Sequence, residues 1–106
     1  MKLPIAILLA AAMTLPGCAG VVAADATRKE TRALIAKVMA AERPGVDAEA
    51  AAVCVQKAMS VVETGTMGLG DTSVVSAANR DRILEYAQRP DAVACLDALA
   101  ATEAAG

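Results

Sequence analysis

The chain predicts an all-α fold: a small bundle of four or five short helices, stapled by one disulfide, behind an N-terminal signal segment. Three observations predict it. Apolar residues recur at helical spacing in several segments, and nothing alternates at period two for long enough to make a sheet. Proline, glycine and cap-forming residues divide those segments at Arg43-Pro44-Gly45, Asp71-Thr72 and Pro90-Asp91. Once the leader is set apart, Cys54 and Cys95 remain as an even pair.

The leader comes first. Met1-Lys2 supplies a positive charge, Ile5 to Met13 is uninterrupted apolar sequence, and Thr14 to Gly17 is a small, turn-prone exit. That is the order of a bacterial export signal. The apolar run is too short for a transmembrane helix, which needs about 20 such residues. Residues 1–17 resemble a lipoprotein signal, with Leu15 three residues before Cys18 and Gly17 directly before it, although Pro16 departs from the usual small residue. The resemblance implies lipidation of Cys18, whose acyl chains would anchor the protein to a membrane. Ala19 beside it resembles lipoproteins passed on to the outer membrane. The competing cut falls after Val22-Ala23-Ala24 and would release a soluble periplasmic chain starting at Asp25.

Behind the leader lies one small domain, 27–103, between a tether over 18–26 and a tail over 104–106. The 106 residues carry a net charge of −2, which falls by one more unit when Lys2 leaves with the leader. The charges are dispersed and aromatics amount to 1%, so nucleic-acid binding, which calls for a cationic footprint and stacking groups, is not expected. Alanine and valine dominate a hydrophobic fraction of 57%, with no Phe and no Trp. Each helix contact therefore buries little area, at roughly 25 cal/mol per Å². A core this thin needs a staple.

The first helix is expected over about 27–42. Thr27 and Glu30 have the form of a capping box, and Leu34, Ile35, Val38 and Met39 form its apolar stripe. Pro44 ends it by disfavouring the helical conformation of the residue before it. Asp47 is a ready N-cap for the second helix. On that wheel Ala51, Cys54, Val55, Ala58, Met59, Val61 and Val62 fall on one side, with Glu49, Gln56, Lys57 and Ser60 opposite. Ser60 and Glu63 could cap a further turn, but Gly65, Gly68 and Gly70 each weaken a helix by roughly 1 kcal/mol relative to alanine. The stretch from Thr64 to Asp71 therefore reads as a mobile connection. As a phosphate cradle it lacks the preceding strand and the following Gly-Lys-Ser/Thr. A third helix is expected over about 73–89, around Ile83, Leu84 and Ala87, with a weak point near Asn79. Pro90 stops it. Asp91 then caps the last helix, about 92–103, in which Ala92, Cys95, Leu96 and Leu99 share one arc.

In an oxidising compartment Cys54 and Cys95 read as a disulfide. Closing that loop of about 42 residues is worth roughly 4 kcal/mol in the chain-entropy model. Two buried free thiols are the main alternative. A redox-active pair lacks a Cys-x-x-Cys motif to lower a thiol pKa. A zinc site fails because the chain has no histidine and two sulfurs do not complete a tetrahedron. Without histidine, Ser-His-Asp and Cys-His arrangements are also ruled out. Asp81 and Glu85, spaced i, i+4 beside Arg80, Arg82 and Arg89, suit a solvated salt-bridge face. Tyr86 suits half-buried packing. Met39, Met59 and Met67 are scattered and suit gap-filling rather than copper binding. No residue is assigned to catalysis, a cofactor or a metal.

Pro44-Gly45-Val46 ahead of Cys54, and Ala87-Gln88-Arg89-Pro90 ahead of Cys95, resemble the layout of a group of short exported alphaproteobacterial proteins. The similarity covers roughly 28–99. It implies a small all-helical periplasmic or lipoprotein domain of unestablished function. The residues together lead to a non-enzymatic envelope protein that binds another envelope component. The alternative is a small periplasmic chaperone or stress-response protein, and a carrier of a small apolar or metal ligand is a third reading.

Overall fold

The computed structural model describes residues 25–105, and among them the protein is five helices with no strand. The expected signal segment 1–17, Cys18, the expected tether up to residue 24 and the competing cut before Asp25 lie outside, or at the edge of, the described residues. Helix α1 spans 25–42, so the last two residues of the expected tether are already helical. Thr27 is thus inside the helix rather than at its cap, because α1 has begun by Asp25. Its apolar stripe is as the spacing demands: Leu34 and Ile35 are fully buried, Val38 and Met39 nearly so. The helix closes with an Arg43 N–H donating to Met39 O at 2.8 Å, ahead of the Pro44 turn.

Helix α2, Ala48–Lys57, starts where Asp47 accepts from the Ala50 N–H at 2.9 Å. The Asp47 N–H in turn donates to Glu103 Oε1 at 2.8 Å, so the start of α2 is tied to the far end of the chain. Ala51, Ala52, Cys54 and Val55 are buried. The expected continuation through Val62 does not occur. The Ala58 and Met59 N–H groups bond to carbonyls three residues back, tightening and ending the helix. Arg89 Nη1 donates to the Ala58 carbonyl at 2.8 Å, a partner no local pattern supplies.

Helix α3, Val61–Leu69, replaces the expected mobile connection. Its capping box is complete: the Glu63 N–H donates to Ser60 Oγ at 3.1 Å, and the Ser60 N–H to Glu63 Oε1 at 2.8 Å. The glycines do not prevent the helix because one of them is what lets it pack. A Cβ built on Gly68 would lie 2.4 Å from Thr27 O and 2.6 Å from Thr31 Oγ1, so α3 lies directly on α1 at that point. One turn earlier, Thr31 Oγ1 donates to the Thr64 carbonyl at 2.7 Å in a buried setting.

Helix α4, Ala77–Ala87, is shorter than the expected 73–89 because Ser76, accepting from the Asn79 N–H at 3.1 Å, caps it late. Asp71 folds the preceding loop by accepting from both the backbone and the hydroxyl of Ser73. Helix α5 spans Pro90–Ala105. Pro90 begins this helix, as proline does well in a first turn where its missing N–H costs nothing. Asp91 is consequently inside that turn, where its charge suits the positive helix end. The helix also runs through two residues of the expected tail. α2 packs on α5 and α4, with Leu34, Ile35, Met39, Val55, Ile83 and Leu96 at the centre of the core. The Cys54–Cys95 disulfide, with Cα atoms 5.5 Å apart, fastens α2 to α5.

Candidate binding groove and its clamp

Three helices leave a groove of about 560 Å³ between them. Its existence follows from the break after α2. Because the chain turns at Ala58–Ser60, α3 diverges from the α2 axis and rests on α1, leaving a trough. Helical spacing then decides which residues face it. On α3, Val61, Gly65 and Leu69 fall four apart along one stripe that lines the groove together with Thr64, while Gly68 faces α1. Val53 and Lys57 on α2 and Arg28 and Arg32 on α1 are likewise four apart, and Thr27, Gln56 and Met59 complete the lining.

The electrostatics of the groove are one-sided. Arg28, Arg32 and Lys57 line it, no acidic residue does, and among the described residues none of the three has an ion-pair partner. Arg32 is held in place: its Nε donates to Gln56 Oε1 at 3.0 Å, while Gln56 Nε2 donates to the Arg28 carbonyl at 2.9 Å. Gln56 is therefore buried, contrary to its expected place on the polar side of α2, because the α1 backbone satisfies its amide. The apolar walls are unusually bare, with Val61 85% and Leu69 81% exposed.

Next to the groove, Arg89 clamps the joint between α2 and α3. Its Nη1 and Nη2 donate to the two carboxylate oxygens of Glu63 at 2.7 and 2.6 Å, the fork geometry that makes such pairs strong. The guanidinium also stacks 4.6 Å from the Tyr86 ring centre. This bond, followed by the Ser60 N–H, holds the Glu63 carboxyl at about 2, down from 4.5, and Glu63 in turn raises Arg89. Because the folded value is the lower one, this pairing stabilises the protein fully above pH 4.5 and is lost as pH falls from 4.5 towards about 2. Urea titrations across that range should show Glu63→Gln losing less stability than the wild type on acidification. Equal slopes would mean the clamp contributes nothing to the pH dependence.

Of the residues singled out in the sequence, Cys54 and Cys95 are joined, and Met39, Met59 and Met67 fill the core. Tyr86 is half-buried. The expected ion-pair face on α4 is not formed as such. Arg80 reaches Glu42 and Arg89 reaches Glu63, so both link elements instead of pairing along α4. The groove itself went unpredicted. Its available signal is the four-residue spacing of Arg28 and Arg32 with no acidic residue four away on their own face. Among the described residues no group of acidic or cysteine side chains is arranged to hold a metal, and no helix is long and apolar enough to cross a membrane. No protein-family model, curated protein or solved structure matches this chain.

Proposed function

We propose that this protein is an exported, non-enzymatic binding module of the bacterial cell envelope, tethered by lipid on Cys18. The observation that carries the reading is the Cys54–Cys95 disulfide, a crosslink of the kind that persists in oxidising compartments. The leader of residues 1–17 and the resemblance to short exported alphaproteobacterial proteins support the same compartment. The groove, lined by three cations, apolar side chains and the uncharged polar Thr27, Gln56 and Thr64, supports binding.

The intact mass of the protein from the host membrane fraction, before and after reduction with alkylation, tests the reading. The expected mass is that of a chain beginning at triacylated Cys18 that gains alkyl groups on Cys54 and Cys95 only after reduction. A soluble chain starting at Asp25 would remove the anchor and keep the periplasmic role. An unprocessed chain with free thiols would overturn export altogether.

A further inference from the structure

We propose that the groove between α1, α2 and α3 binds a single-chain anionic amphiphile, specifically a fatty-acid carboxylate. The inference deepens the binding-module reading and rests on it, but it depends on a different set of residues from the disulfide and the leader. Three features of the groove define the ligand. Its volume, about 560 Å³, lies within the roughly 300–1,000 Å³ typical of small-molecule sites. Its charge is wholly positive in a protein whose net charge is −2, so an anion is drawn to it and a cation repelled. Its apolar side includes Val61 and Leu69, which the fold leaves in water at a free-energy cost, and an acyl chain laid along them and the half-buried Val53 would remove that cost.

A small inorganic anion would leave the apolar walls wet, and a neutral lipid would leave the cations unmatched. A carboxylate with one acyl tail satisfies both. Arg32 is the headgroup anchor, since its Nε is engaged by the buried Gln56 amide and its remaining guanidinium N–H groups stay available as donors. Gln56 is a positioning residue, fixing Arg32 against the α1 backbone. Arg28, one turn before Arg32, supplies the second charge. Gly65 keeps the middle of the trough open: a Cβ there would meet nothing within 4 Å.

Calorimetric titration of the full chain, as its host processes it, with monomeric dodecanoate tests the proposal. One dodecanoate per chain is expected, with dodecanol weaker and dodecyltrimethylammonium silent. Loss of the two headgroup charges in Arg28→Gln/Arg32→Gln should weaken dodecanoate by about tenfold or more. Gly65→Leu starts from a Cβ that meets open space and extends into the trough, so it should keep its circular dichroism and lose binding. No dodecanoate binding by the wild type, undiminished binding by folded Gly65→Leu, or equal binding of the cationic amphiphile would each overturn the proposal. So would a groove that dodecanoate enters only after residues 18–24 are removed, since the tether would then be its occupant. A correct mass with no dodecanoate binding would sink this inference and leave the envelope reading standing.

Discussion

Replacing both Cys54 and Cys95 with alanine is expected to cost about 4 kcal/mol of stability, the largest effect of any change considered for this protein. The disulfide joins cysteines 41 positions apart, and between them lie the whole of α3 and α4. Opening it returns conformational freedom to the unfolded chain. It also removes the covalent crosslink between α2 and α5, which pack on each other. That core has little to compensate with. Among its buried members Ala51, Ala52 and Ala92 are small, and no Phe or Trp adds area. In a domain of this size the loss corresponds to a fall in Tm of about 15–30 °C. Thermal and urea unfolding of the double variant would measure it. A midpoint within a few degrees of the wild type would show that α2 and α5 hold by packing alone.

Gly68→Ala is expected to destabilise by about 1–3 kcal/mol, against its own gain in helix propensity. The added methyl would press on the Thr27 carbonyl and the Thr31 hydroxyl, and the nearest of these is backbone that cannot rotate away. Moving α3 off α1 would also stretch the buried Thr31–Thr64 hydrogen bond. Gly65→Ala, three residues earlier in the same helix, is the internal control. Its Cβ meets open space, so only the propensity term acts and stability should rise by up to about 1 kcal/mol. Opposite signs in urea unfolding are the expected result. Two stabilising substitutions would mean that α1 and α3 do not lie as close as the geometry requires.

Features that depend on neighbours along the chain were legible in the residues themselves. The stripe of Leu34, Ile35, Val38 and Met39, the Asp47 cap and the stop at Pro44 are all local, and each is where periodicity and capping chemistry put it. The cysteine pairing was legible for a different reason: the two cysteines beyond the N-terminal segment have one way to pair with each other. Features that depend on residues distant in sequence were settled by packing. The end of α2 is set by Arg89, 31 residues beyond the Ala58 carbonyl it holds. The glycine-rich stretch is helical because Gly68 allows close contact with Thr27 and Thr31, outweighing an intrinsic cost that a local reading must count in full. Gln56 is buried because the α1 backbone reaches it. The groove follows from all three. Neither Arg28 nor Lys57 signals a site alone, and only the divergence of α3 from α2 brings their charges to one trough with the apolar side of Val61 and Leu69.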